Sequence, residues 1–177
     1  MLRSLQAAGW EDYECLVGCD GPSPRLAKVC SENHDPRIRC FAFPHRGVYG
    51  GGYQRNGLMA CAQGDLLVFC DDDDRLEPNA FPQLLSVARA NAGRPIICKM
   101  RYRDGEVLWH TQGKVGPGHV GGSMIVVPNA FGKIGRWGLG RCADQEFVRE
   151  TLQLNPEPVW SDLVLQRVRR QTDRSDW

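Results

Sequence analysis

Through the first half of this chain, strand-length apolar runs alternate with stretches of helical periodicity, and that order admits few folds. Leu2, Leu5 and Ala8 share one face of a short opening helix, and Tyr13 to Val17 then reads as a buried strand ending at Gly18. Ser23 and Pro24 suit the cap and first residue of a helix running through Cys30, and Ile38 to Phe43 is the next strand. The glycine-rich stretch from Gly47 to Gly52 leads into a helix over about Tyr53 to Gln63, which Gly64 can stop. A third strand, Asp65 to Cys70, is followed by a helix opened by Pro78 or Pro82, whose Phe81, Leu84, Leu85 and Ala88 share a face and which ends near Gly93. Strand-helix alternation predicts an α/β domain with a mostly parallel sheet flanked by helices.

The second half reads differently. Cys98 to Arg103 and Glu106 to Thr111 flank Asp104-Gly105, a two-residue hairpin signal, and Gly113 to Gly122 is a glycine-rich loop. Met124 to Val127 reads as a strand and Ala143 to Leu152 as a helix, while Pro156 and Pro158 break the chain. At 177 residues the sequence suits a single domain, with an α/β half of the nucleotide-binding kind over 1–95 and a smaller, hairpin-containing half over 96–177.

Charge and cysteine content exclude several classes. Lysine and arginine total 22 against 21 acidic residues, so the formal charge of +1 supplies no global field for nucleic acid, and no such partner is expected. No apolar run approaches the roughly 20 residues of a bilayer-crossing helix. No export signal follows Met1, which predicts a cytoplasmic protein, with a peripheral place at the inner membrane face as the variant. The 8 cysteines contain no C-x-x-C pair, and Cys15, Cys30, Cys61, Cys70 and Cys98 sit in apolar or helical runs, so they are expected to be reduced core residues.

Chemistry concentrates in a few places. Asp71-Asp72-Asp73-Asp74 follows a strand directly, and in open α/β sheets ligands bind beyond the carboxyl ends of strands. Four adjacent carboxylates repel, so a divalent cation between them is one reading and a solvated acidic turn the other. Asp20 also stands just after a strand, where it can accept a nucleobase N–H, bond ribose hydroxyls, or simply close a turn with Gly21. Arg55-Asn56 follows Gly50-Gly51-Gly52, whose spacing fits neither phosphate-loop pattern, so ATP hydrolysis and dinucleotide binding lose ground. Asp144 falls in the first turn of a helix, where the macrodipole favours a carboxylate. His34, His45, His110 and His119 lack metal-ligand spacing, and only His119, in the glycine loop, invites attention. Arg167, Arg169 and Arg170 form a small basic cluster that could touch phosphate, with a solvated tail the preferred reading, and Trp109 and Trp137 suit either a sugar platform or a core.

Taken together, these segments resemble the GT-A fold glycosyltransferases of family 2. Asp12-Tyr13-Glu14-Cys15-Leu16-Val17-Gly18-Cys19-Asp20-Gly21-Pro22-Ser23 is similar to the segment that holds that family's nucleotide-binding aspartate pair. Gln54-Arg55-Asn56-Gly57-Leu58 through Gly64-Asp65 resembles its arginine-asparagine helix, and Leu67 to Pro78 its DxD segment. Cys142-Ala143-Asp144-Gln145-Glu146-Phe147 resembles the helix start that carries the catalytic base.

The resemblance implies a glycosyltransferase that moves a sugar from a nucleotide-diphosphate donor to an acceptor hydroxyl, inverting and metal-dependent. By it, Asp20 contacts base or ribose, Arg55 assists at base or phosphates, and Asp71 lies near the ribose. Asp73 and Asp74 hold Mn²⁺ or Mg²⁺ on the diphosphate, and Asp144 is the general base. The acceptor is a saccharide, a lipid-linked group or a protein, and the loops around Gly50 and Gly118 are candidates for closure. Cys19 stands where the family carries an aspartate, and Ala143 where it carries an acidic residue. The family's opening strand and turn are lacking, so either Cys15 to Val17 re-pairs with Leu66 to Phe69 or a second chain fills the gap as a homo-oligomer, and a strained, oligomeric or N-terminally truncated domain is expected. The alternatives are a catalytically impaired nucleotide- or sugar-binding protein and a plain cation-binding acidic loop.

Overall fold

A computed structural model of the chain describes residues 1–44, 51–108, 112–116 and 118–169. His45, Trp109, His110, Arg170 and positions 47–50 of the first glycine stretch lie outside the described residues. The chain opens with α1 (Leu2–Ala7), β1 (Cys15–Asp20), α2 (Pro24–Glu32) and β2 (Ile38–Phe43). Ser23 caps α2, its Oγ accepting from the Leu26 N–H at 3.2 Å, and Pro24 begins the helix as expected. Gly18 lies inside β1 and does not end it. A Cβ there would stand 2.9 Å from Leu58 Cδ1 and 3.3 Å from the Phe43 ring, so the glycine lets a helix approach the strand.

That helix is α3 (Gly52–Met59), and β3 (Leu66–Val68), β4 (Arg75–Leu76) and α4 (Ala80–Ala90) follow. Both α3 and β3 are shorter than their periodicity predicts. Next come β5 (Ile96–Tyr102), β6 (Val107–Leu108), a 3-10 turn at Gly122–Met124 and β7 (Ile125–Pro128). The β5–β6 hairpin closes with Tyr102 N–H on Glu106 O at 2.8 Å. Its loop is therefore Arg103-Asp104-Gly105, one residue longer than expected, with Gly105 at φ 96°.

The chain continues through α5 (Ala143–Leu154) to β8 (Val159–Val168), and β8 corrects the reading of the C-terminal basic cluster as a solvated tail. Pro156 and Pro158 precede this strand without interrupting it, and β8 pairs with both β5 and β4. Its Leu165 and Gln166 are fully buried.

The α/β class stands, although parallel pairing is confined to β1–β2 and β5–β8 among the described residues. The pairs β3–β7, β5–β7, β5–β6 and β4–β8 are antiparallel. The reason is that β7, β6 and β4 enter the sheet from turns and a hairpin, without crossover helices.

β1 and β2 form a two-stranded sheet of their own, apart from the six-stranded order β3-β7-β5-β8-β4 with β6 on β5. The expected re-pairing of Cys15 to Val17 with Leu66 to Phe69 does not occur among the described residues. Cys15 and Gly21 N–H groups donate to Arg37 O and Phe43 O, so the backbones of Leu16, Gly18 and Asp20 face away from β2. On β3, Asp65 O accepts from Asn129 N–H at 2.8 Å, so the backbones of Leu66 and Val68 face away from β7. The two strands still share a core, since Cys15, Leu66 and Val68 pack against the Leu84, Cys98 and Leu165 cluster. Glu14 Oε1 stitches them further, accepting from Gly64 N–H at 2.9 Å and from Gln63 N–H.

A second core lies between the six-stranded sheet and α5. Trp137 stacks on Phe147 with ring centroids 4.5 Å apart and planes 9° from parallel, and Phe69 meets both rings edge-on at 5.0 Å. The cysteine expectation fails at Cys61, which is free but exposed, and at one pair, because Cys30 on α2 and Cys40 on β2 form a disulfide with Cα atoms 6.3 Å apart. The parallel β1–α2–β2 crossover lays the two residues side by side, a proximity their spacing alone does not reveal. Cys98 and Cys70 behave as expected, with burial pushing both thiols up to about 12.

Candidate functional site

The acidic run begins three residues after β3, and its backbone turns at once, Asp74 N–H donating to Asp71 O at 3.1 Å. That turn folds Asp71, Asp73 and Asp74 together, with one carboxylate oxygen from each within 4.8 Å of the others. Asp72 falls outside this cluster. Asp71 thus joins the pair expected to hold a cation, and at the same time forms an ion pair with Arg55.

Asp74 is 5% exposed, and its Oδ1 accepts the Arg169 N–H at 3.2 Å. Burial, and then the neighbouring charge of Asp71, push its carboxyl up to about 7. Asp73 lies 3.5 Å from the Arg169 guanidinium. Arg169 is therefore drawn into the site by β8, where the preferred reading of its segment is a solvated tail.

Asp144 stands in the first turn of α5. Gln145 Nε2 donates to Val120 O at 2.6 Å and pins that turn to the glycine loop, leaving Asp144 Oδ2 3.5 Å from where a Gly121 Cβ would sit. Gly122 is required because any side chain would run into the Trp137 ring. A cavity of about 580 Å³ is lined by Asp71, Asp73, Asp74, Ser123, Asp144 and Arg169 among others. A second, of about 220 Å³, adds Arg55, Trp137 and Arg141 and shares Asp71 and Asp144. Carboxylates some 70 residues apart in sequence thus face one cleft.

Arg55 reaches this cleft from α3, its guanidinium 4.5 Å from the Trp137 ring centroid. Asn56 locks the other partner in place: its Nδ2 donates to Trp137 O at 2.9 Å, and its Oδ1 accepts from Trp137 N–H at 3.0 Å. Trp137 is 4% exposed, so it serves the core and is no open sugar platform. Asp20 lines neither cavity. It lies at the end of β1 and is tied to α3 by Gln54 Nε2, which donates to its Oδ1 at 2.9 Å. Gln54 and Arg141 were not anticipated, since neither belongs to an apolar period or a charged run. His119 lines neither cavity.

The donor set of the acidic cluster fits a hard divalent cation such as Mn²⁺ or Mg²⁺. It offers three carboxylates and no soft ligand, and burying Asp74 beside Asp71 carries an electrostatic cost that a bound cation would relieve.

Comparison with solved structures finds the same fold in S. aureus TarS. The crystal structure of S. aureus TarS superposes with a TM-score of 0.78 at 14% identity, covering 96% of this chain and 34% of TarS. The 1–349 fragment of TarS in complex with UDP-GlcNAc gives 0.77 at 14% identity, covering 98% of this chain and 55% of the fragment. The same fragment in complex with UDP gives 0.75, again at 14% identity, covering 96% and 55%. The chain therefore spans about a third of the TarS chain in the first structure and just over half of the fragment. Among curated proteins none matches it in sequence. The model of glycosyl transferase family 2 matches residues 1–143, a span that holds Asp20, Arg55 and the whole acidic cluster. With the GT-A architecture and the acidic strand end already in place, that match identifies the chain as a member of glycosyl transferase family 2.

Proposed function

We propose that this chain transfers a sugar from a nucleotide-diphosphate donor to an acceptor hydroxyl, with inversion and with a divalent cation. One observation carries the reading: the acidic cluster and Asp144 line a single cavity of about 580 Å³. Asp73 and Asp74, with Asp71 beside them, would hold Mn²⁺ or Mg²⁺, which supplies charge neutralisation to a departing diphosphate. Asp20 receives the base or ribose, and Arg55, in contact with Asp71, assists toward the phosphates.

Asp144 is the general base. The acceptor oxygen attacks the anomeric carbon, the bond from that carbon to the diphosphate oxygen breaks, and the hydroxyl proton passes to the Asp144 carboxylate as the new bond forms. Trp137, Phe147 and Gly122 hold the adjoining wall rigid, so the carboxylate keeps its aim. A uridine-diphosphate sugar is the first donor to test, because TarS, similar in fold, is seen with UDP-GlcNAc. The acceptor is a hydroxyl on a saccharide, a lipid-linked group or a protein. The outward-facing edges of β1 and β3 support a homo-oligomer in which a second copy completes the sheet. The protein is proposed to work in the cytoplasm or at the inner membrane face; no helix among the described residues is long and apolar enough to cross a membrane.

Asp144→Asn is expected to lower turnover at least a hundredfold while leaving UDP affinity within twofold. Asp73→Asn is expected to abolish the Mn²⁺ dependence of UDP binding. Normal turnover by Asp144→Asn would remove the base assignment. Donor binding with neither hydrolysis nor transfer by the unaltered protein would favour the catalytically impaired alternative.

A further inference from the structure

Arg169 meets the acidic turn twice, once with its backbone and once with its side chain. The backbone N–H donates to Asp74 Oδ1 at 3.2 Å and ties the end of β8 to the turn. The side chain is not needed for that tie. Its guanidinium stands 3.5 Å from Asp73, farther than the roughly 2.7–2.9 Å of a charge-assisted hydrogen bond. Both side chains keep access to water, that of Arg169 being 33% exposed and that of Asp73 40%. A loose, solvated ion pair of this kind contributes little to folding and parts readily. Arg167, two residues earlier, is the contrast: it pairs with a nearly buried Glu77 and lines neither cavity.

The Arg169 side chain belongs to the cleft. It lines the cavity of about 580 Å³ together with Asp71, Asp73, Asp74 and Asp144, and among the described residues it is the one arginine or lysine that does. A divalent cation held by the acidic cluster and this guanidinium are both positive and both drawn to Asp73, so each weakens the hold of the other when no anion lies between them. A diphosphate reverses the relation. Its oxygens can engage the cation on one side and the planar fork of an arginine on the other.

We propose that Arg169 is a donor-binding residue that changes partners: its guanidinium leaves Asp73 for the diphosphate of the donor, opposing the cation alone and supporting the cation that arrives with a donor. The inference rests on the nucleotide-sugar reading given above. It makes cation and donor bind as a pair. It also adds a second positive group to the leaving diphosphate, which gains negative charge as its bond to the sugar breaks.

The test is Arg169→Gln, which removes the charge and keeps the backbone N–H that holds Asp74. Calorimetry measures the binding of Mn²⁺ alone, and of pyrophosphate, UDP and GDP each in saturating Mn²⁺. The variant is expected to bind Mn²⁺ alone about threefold more tightly. It is expected to bind pyrophosphate, and whichever of UDP and GDP the unaltered protein prefers, about tenfold more weakly. Opposite signs in the two arms are the signature, because damage to the turn weakens both. Arg169→Lys keeps the charge and loses the fork. It is expected to bind Mn²⁺ alone as the unaltered protein does, and to recover most of the pyrophosphate affinity.

Mn²⁺ binding in Arg169→Gln equal to or weaker than in the unaltered protein would overturn the inference, as would an unchanged pyrophosphate affinity. A lysine variant as weak as the glutamine one toward pyrophosphate would also overturn it, since charge is then not what acts. Should the unaltered protein in Mn²⁺ bind no nucleoside diphosphate more tightly than pyrophosphate, the functional reading itself fails. Binding of UDP or GDP by the unaltered protein, with Arg169→Gln indistinguishable from it, refutes only the role of Arg169.

Discussion

Asn56 closes a contact that spans 81 residues of sequence, and its replacement tests whether the wall of the cleft is held as described. Its amide pairs with both backbone groups of Trp137, at 2.9 and 3.0 Å, while the indole ring is clamped by Phe147 and contacted by Arg55. In Asn56→Ala the Trp137 N–H and C=O both lose their partner in a part-buried place. A buried backbone group left unsatisfied costs about 1–3 kcal/mol, and two such groups with partial access to water cost together about 2–4 kcal/mol. Asn56→Asp separates the two bonds. The carboxylate still accepts from the N–H but faces the carbonyl with negative charge, so it is expected to destabilise at least as much as Ala. Urea denaturation followed by tryptophan fluorescence gives the stability, and calorimetry with UDP reads the cleft. A loss below about 1 kcal/mol in Asn56→Ala, or an Asp variant milder than Ala, would refute the claim that this amide anchors Trp137.

Three further outcomes are expected. Phe147→Ala removes a fully buried ring between Trp137 and Phe69, and is expected to cost about 3–5 kcal/mol in urea denaturation. Reduction of Cys30–Cys40, or Cys30→Ser with Cys40→Ser, releases a link between residues 10 apart and is expected to cost about 3 kcal/mol by the chain-entropy relation, measured against the oxidised protein. Side-chain and backbone hydrogen bonds from Arg37 hold the Asp35 carboxyl down at about 2, below its ordinary 3.8. The folded state thus binds this proton less readily than the unfolded chain, so the contribution is full above about pH 4 and is lost as pH falls toward 2. Denaturation midpoints measured between pH 5 and 2 are expected to decline less steeply in Asp35→Asn.

Much of the site's raw material was legible locally. The start of α2 at Ser23-Pro24, the bounds of β2 and the acidic run just past β3 all follow from short-range chemistry: caps, alternation and charge next to an apolar run. Asp144 in the first turn of α5 is of the same kind. Strand β8 is not legible locally although Val159, Val164 and Val168 are β-branched, because Pro156 and Pro158 before it read as breaks and the arginines at its end as a tail. In the fold those arginines are spent inward, Arg167 on Glu77 and Arg169 on Asp73. Gly18 is ambiguous for a related reason: a glycine ends a strand or admits a neighbour, and only the position of Leu58 tells which.

Local sequence alone determined the elements and the inventory of carboxylates, since helix caps, period-two runs and a charged strand end each need only neighbours within a few residues. Tertiary structure decided which of those carboxylates meet, that Gln54 reaches Asp20, that Asn56 grips Trp137 and that Cys30 finds Cys40. Each is a contact between segments 10 to 81 residues apart, set by sheet order and helix packing. No periodicity in the chain encodes such distances, because they arise only when separate apolar faces are buried against one another.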